Sequence, residues 1–283
     1  MGSKRELTPC QKVEQSIQKK YREKLWTPFI NALKTYDLLS PGDKVAVCIS
    51  GGKDSMLLAK LMQMLQRHSD IPFEVCFLVM DPGYAEKNRK LIEINAAKLA
   101  IPVEVFTSQI FDIAYHVDES PCYLCARMRR GALYAEAKKR GCNKIALGHH
   151  LNDVIETTLL GMFYASQLQG MMPKLHSQNF EGMELIRPLY KVKEESIIRW
   201  KEYNSLTFLQ CACRFTEAIS KSEDGIGESK RQEIKLLIKD LKKTNPDIEQ
   251  SLFNSLHNVH SETFPGFRKD GKAISFLQQY NPK

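Results

Sequence analysis

Lys44-Val45-Ala46-Val47-Cys48-Ile49, followed at once by Ser50-Gly51-Gly52-Lys53-Asp54-Ser55, decides the fold of this chain. The six-residue apolar run, preceded by the breakers Pro41 and Gly42, reads as a buried strand. A helical pattern over about 54–68 starts as the second six residues end. Two glycines let the backbone approach a ligand closely, and the unpaired amides of a helix start point partial positive charge at it. Lys53 adds a full charge, and Ser50 and Ser55 add hydroxyl donors. The segment is an anion cradle, although a Gly-Gly turn between strand and helix can also be purely structural. It is not the Walker pattern, which needs a longer glycine spacing before Lys-Ser/Thr.

Outward from this point the alternation continues, with strands at 73–80, 102–106 and 144–147 and helices at about 85–99, 126–140 and 152–165. Strands separated by helices of this length imply right-handed crossovers and a parallel sheet with helices on both faces. The expected fold class is α/β. Upstream, Val13, Ile17, Tyr21, Leu25, Phe29 and Leu33 recur at helical spacing and predict one N-terminal helix over 10–38. Past residue 166 the texture changes: 167–182 is rich in Gly, Met and polar residues. A short strand at 185–189, a helix ending near 204 and a helical stretch over 228–258 are expected, then a tail bearing Pro265, Gly266, Gly271 and Pro282. The expected organisation is an N-terminal helical extension at 1–40, the nucleotide-binding domain at 41–190 and a mostly helical C-terminal region at 191–283.

The chain has 283 residues, 43% hydrophobic and 26% charged, which suits an ordinary globular protein with a sizeable core. No apolar run approaches the roughly 20 residues that span a bilayer, and the opening MGSKRELTPC lacks the apolar stretch of a secretory signal. A cytoplasmic location without membrane contact is expected. The 41 Lys and Arg against 33 Asp and Glu leave a net charge of +8, compatible with a polyanionic partner.

A second segment, Gly148-His149-His150-Leu151-Asn152-Asp153, follows the 144–147 strand and opens the next helix. It therefore stands at a carboxyl end of the same sheet, where α/β proteins bind ligands. Met80, at the end of the 73–80 strand, belongs to the same rim. Asn152 and Asp153 also suit helix caps, and either histidine a satisfied core position.

Of eight cysteines, Cys122 and Cys125 form a C-x-x-C pair expected in a Pro-led loop just before a helix bearing Arg127, Arg129 and Arg130. Such a pair can ligate zinc or an iron–sulfur cluster, or cycle as a dithiol, and nearby arginines favour thiolate. Cys211 and Cys213 form a C-x-C pair 86 residues beyond Cys125. Cys48 and Cys76 lie in apolar strands and read as core; Cys10 and Cys142 have no partner spacing.

Ser50–Ser55 resembles the PP-loop of the ATP pyrophosphatase superfamily, whose members split ATP between the α and β phosphates. Together with PCYLCARMRRGALYAEAKKRGCNKIALGHHLND, and with RPLYKVKEESII further on, it resembles the TtcA-type tRNA 2-thiocytidine synthetase family, close to the TtuA-type 2-thiouridine enzymes. The likeness covers about 20–260. It implies that ATP lies on Ser50, Gly51, Gly52, Lys53, Asp54, Ser55, Met80, Gly148 and His149, with Lys53, Asp54 and Asp153 catalytic and Mg²⁺ held beside Asp54. It also implies a 4Fe-4S cluster on Cys122, Cys125 and Cys211, with Cys213 the alternative third ligand. The last pair departs from the family's C-x-x-C. No cysteine set matches the zinc fingers of the 2-thiouridine branch, which points to 2-thiocytidine. The implied reaction adenylates the C2 oxygen of a tRNA cytidine, position 32, and replaces it with sulfur from a cysteine desulfurase or sulfide. Arg127, Arg129 and Arg130 would grip RNA, and the chain would be a homodimer. The rival readings are 2-thiouridine synthesis, another adenylating enzyme such as a lysidine synthetase-like ligase, and a non-catalytic RNA-binding iron–sulfur protein.

Overall fold

A computed structural model describes residues 6–108, 121–209 and 226–280, with backbone alone for 121–127, 226–229 and 279. Strand β1 (Lys44–Ile49) is buried along almost its whole length. It runs parallel to β2 (Glu74–Asp81) on one side and to β4 (Lys144–Ala146) on the other. Strand β3 (Val103–Thr107) extends the sheet beyond β2, and β6 (Glu184–Ile186) beyond β4. The edge strand β5 (Lys174–His176) pairs antiparallel with β6, giving the order β3-β2-β1-β4-β6-β5.

Burial on both faces explains why β1 reads as a continuous apolar run. Val45, Val47 and Ile49 point into a core shared with α3 (Lys53–His68) and the N-terminal helices. Ala46 and Cys48 point into a second core with Tyr134 and Ala137 of α5 (Pro121–Lys139), opposite α3. Helix α4 (Glu86–Lys98) joins β2 to β3. A third cluster joins α6 (Leu151–Tyr164) to α8 (Ile226–Thr244) and α9 (Ile248–Ser255) through Val154, Ile155, Ile234, Ile238 and Phe253.

The predicted N-terminal helix is interrupted. Helix α1 (Pro9–Gln18) starts on a Thr8 capping box, a π-turn covers Arg22–Trp26, and α2 (Thr27–Thr35) follows. Pro28 has no N–H for a helical bond and crowds the carbonyl one turn back, which the widened turn accommodates. All six residues of the apolar spacing, Val13 to Leu33, are nonetheless buried.

Three further differences have local causes. The strand expected at 185–189 stops at Ile186, before Arg187 and Pro188, and α7 (Glu194–Tyr203) follows. The stretch expected to be helical at 228–258 is divided into α8 and α9 at Asn245-Pro246. The tail holds a hairpin, β7 (Gly266–Lys269) with β8 (Lys272–Ser275), before the short α10 (Leu277–Tyr280). Its two-residue turn, Asp270-Gly271, has both φ angles positive, as tight hairpins require. Among the described residues no helix is long and apolar enough to cross a membrane.

Candidate active site

The strand order turns between β1 and β4: β2 and β3 build outward from β1, and β6 builds outward from β4. Beyond the carboxyl ends of such neighbours the connections diverge and leave a crevice. The 50–55 and 148–153 segments both issue there, and a cavity of about 360 Å³ opens between them. Its walls include Ser50, Asp54, Ser55, Met80, Gly148, His149 and Asp153, so most of the predicted nucleotide residues meet in one place.

The loop is shaped by short contacts. Ser55 Oγ receives the Ser50 N–H at 3.1 Å and donates to Gly52 O at 3.0 Å, folding the turn over the start of α3. Gly51 has φ +85°, and a Cβ there would lie 2.6 Å from Ile92 Cγ1. A Cβ on Gly148 would lie 3.0 Å from Ser55 N and 3.1 Å from Asp54 C, so only glycine lets the two loops touch as they do. Leu209 N–H donates to Gly51 O at 3.1 Å, bringing the chain to the phosphate loop two residues before Cys211.

Lys53 Nζ lies 2.9 Å from Glu194 Oε1 and 3.1 Å from Asp54 Oδ2. Burial would lower the lysine's pKa, but the two carboxylates outweigh it and hold the ammonium charged. Burial would likewise raise Glu194; the bond from Lys53 overrides it and brings the carboxyl down to about 2. Asp54 Oδ1 is buried with no hydrogen-bond partner, and His150 Nε2 is 3.7 Å away. A bare carboxylate oxygen beside a phosphate cradle suits Mg²⁺, which binds through one or two carboxylates plus substrate phosphates. Among the described residues no group of three or more His, Cys, Asp or Glu is placed to hold a metal by itself.

His150 is the N-cap of α6: Asp153 N–H donates to its Nδ1, and Asp153 Oδ2 accepts the His150 N–H at 3.0 Å. Asp153 is thus a helix cap as well as a wall residue, and its Oδ1 is paired with Arg231 at 2.6 Å. Asn152 Nδ2 donates to Glu249 Oε1 at 2.9 Å, and its Oδ1 accepts the Glu194 N–H at 2.9 Å, fixing the start of α7 against α6. Burial, then the charge of Arg187, pushes the His149 imidazole down to about 4, so it is neutral at pH 7.

Arg129 and Arg130 line the cavity. The side chains of Cys122, Cys125 and Arg127, and the whole of Cys211 and Cys213, lie outside the described residues. Cys48 is core as expected, its thiol pushed up to about 12 by burial. Cys142 does have a neighbour: its Sγ lies 3.2 Å from Cys76 Sγ, a contact across 66 residues that no local spacing announces.

Sequence reasoning missed Glu194, Arg187, Arg231 and Lys235. Arg231 binds Glu156 at 2.8 Å as well as Asp153, and Lys235 reaches Glu194 at 3.4 Å. In sequence Glu194 begins an ordinary acidic helix start, and Arg231 and Lys235 are ordinary helix-surface charges. Only the RPLYKVKEESII likeness signals the first two of the four.

The profile of the PP-loop domain family matches residues 13–214. The tRNA-cytidine(32) 2-sulfurtransferase of Citrifermentans bemidjiense is 34% identical over 233 residues, covering 81% of this chain and 88% of that protein. The protein of the same name from Geotalea daltonii is 35% identical over 251 residues, covering 87% and 94%. Among solved structures, the U34-tRNA thiolase NcsA from Methanococcus maripaludis, solved with its 4Fe-4S cluster, has a similar fold. Its TM-score is 0.64 at 21% identity, over 86% of this chain and 80% of that one.

Proposed function

The chain belongs to the tRNA-cytidine(32) 2-sulfurtransferase family of PP-loop proteins, and from that premise we propose that it thiolates C2 of a tRNA cytidine, position 32, at the expense of ATP. The observation that carries this reading is the meeting of the phosphate loop with Gly148–Asp153 in one cavity, in a chain whose likeness to those enzymes spans most of its length.

The amides of Gly51, Gly52 and the α3 start, together with Lys53, take up the phosphates of ATP. Asp54 would hold Mg²⁺, whose charge would offset the charge building on the leaving pyrophosphate. The cytidine C2 oxygen attacks the α-phosphate, pyrophosphate leaves, and sulfide then displaces AMP from C2. A 4Fe-4S cluster on Cys122, Cys125 and Cys211 would supply a thiophilic iron able to carry that sulfide. The cytidine must leave its stack to reach the crevice, and Arg127, Arg129 and Arg130 would hold the surrounding RNA backbone. Family likeness supports a cytoplasmic homodimer fed by a cysteine desulfurase or free sulfide.

Nucleoside mass spectrometry of tRNA from a strain lacking the protein tests the reading. Loss of 2-thiocytidine, restored by the parent gene and not by a Lys53→Ala copy, is the expected result. An unchanged nucleoside profile would overturn it.

A further inference from the structure

Arg187 follows β6 directly, at the carboxyl end of the sheet, and is 6% exposed. Its Nη1 donates to the Met172 carbonyl, while its Nε is buried with no hydrogen-bond partner. Among the described residues no carboxylate comes within ion-pair distance of this guanidinium. Asp153, whose charge it feels, is engaged by Arg231 and by the His150 amide. A buried, unpaired charge is costly by several kcal/mol and persists where something compensates it.

The neighbours indicate what compensates. His149 Nδ1 is likewise buried without a partner, and the charge of Arg187 adds to burial in holding the His149 imidazole down. Arg130, which adds positive charge beside Arg187, lines the same cavity as Arg129 and His149. Burial and Arg130 together bring Arg187 only down to about 10, so it stays cationic at pH 7. β6 is two strands from β1, which places the end of β6 roughly 10 Å across the sheet from the phosphate loop. That loop has its own lysine and amides. The concentration of positive charge on the β6 side therefore serves a different anionic group.

We propose that Arg187, which does not itself line the cavity, forms with the lining residues Arg130 and His149 a second anion seat on the β6 side of the crevice that takes a phosphate group. A neutral imidazole nitrogen and a guanidinium fork together suit a phosphate oxygen pair. The inference rests on the functional reading above for the identity of the phosphate's owner: a phosphodiester of the bound tRNA, or the phosphate of the nucleotide itself.

The test compares the full chain with Arg187→Met and Arg187→Lys, by melting temperature and by Kd for tRNA, ATP·Mg²⁺, AMP and inorganic phosphate. With no ligand, Arg187→Met is expected to melt at or above the parent, because an unsatisfied buried charge has been replaced by an apolar side chain of similar length. Its affinity for the phosphate ligand is expected to fall at least tenfold, with Arg187→Lys intermediate because it keeps the charge and loses the fork. Weakening of tRNA alone assigns the seat to the RNA backbone, and weakening of ATP and AMP assigns it to the nucleotide; both support the seat. Overturning results are Kd values all within twofold of the parent, or a melting temperature well below it, the mark of a strut holding Met172. If the parent chain bound no tRNA, the thiolation reading would fail, while the AMP and phosphate arms would still judge the seat.

Discussion

Glu194 Oε1 accepts a hydrogen bond from Lys53 Nζ at 2.9 Å, tying the first residue of α7 to the first residue of α3 across 141 positions. The pair holds the lysine of the phosphate loop extended toward Glu194 and Asp54, charged and confined. A ligand phosphate arriving at the loop meets an ammonium whose rotamer is already restricted.

Lys53→Ala removes that ammonium, and ATP cleavage to AMP is expected to fall by about 10²–10³, the usual loss when one electrostatic stabiliser of a transition state is deleted. Glu194→Gln keeps the hydrogen bond and loses the counter-charge. Its kcat is expected to drop about tenfold with KM for ATP moved less than threefold. Steady-state kinetics with tRNA and ATP read both, and the reverse split would show that Glu194 acts in ATP binding.

Gly148→Ala tests the contact between the two loops. Its methyl would press on backbone at Asp54 and Ser55, 3.0–3.2 Å away. Backbone cannot swing aside as a flexible side chain would, so a stability loss of about 1–3 kcal/mol is expected, with AMP formation lost disproportionately. Chemical denaturation and a pyrophosphate-release assay measure the two. Parent-like activity would show that the loops part freely.

The pH dependence of stability has a definite sign. His149 is pushed down to about 4 by burial and Arg187, from an ordinary value near 6.5. The unfolded chain therefore binds more protons in that window, and stability is lost as pH falls from about 6.5 to 4. Glu194 is held down to about 2, so its contribution, complete above about 4.5, is lost as pH falls from there to 2. Melting temperature should fall in both windows, His149→Asn flattening the upper and Glu194→Gln the lower. Parallel curves for parent and variants would contradict the assignment.

Anaerobic iron and acid-labile sulfide analysis separates the cysteines. Cys122→Ser, Cys125→Ser and Cys211→Ser are expected to lose the cluster, while Cys213→Ser, Cys76→Ser and Cys142→Ser keep about four irons. Loss in Cys213→Ser with retention in Cys211→Ser would reassign the third ligand. One zinc, or no metal, in the parent chain would sink the cluster altogether.

Much of this protein was legible in one dimension because the interactions that announce it are local. The run Lys44–Ile49 is apolar because both faces of its strand are covered, and Gly51, Gly52 and Lys53 follow it because an anion cradle needs flexible backbone, free amides and charge in consecutive positions. Val13 to Leu33 marked the buried N-terminal face even where the π-turn interrupts the helix, since burial follows spacing, while the widened turn answers to Pro28. The three-residue edge strand β5 is too short to show a period, and the 266–275 hairpin was hidden in a tail read only for its breakers. Tertiary structure alone decided the wiring of the site. Glu194, Arg231, Lys235 and Arg187 each look in sequence like a solvated charge, because nothing local distinguishes a helix-surface Lys or Glu from one that packs against a crevice. Their pairings with Lys53, Asp153 and Glu156, and the lack of one for Arg187 Nε, exist only once β1, β4 and β6 lie side by side and α8 closes over α6.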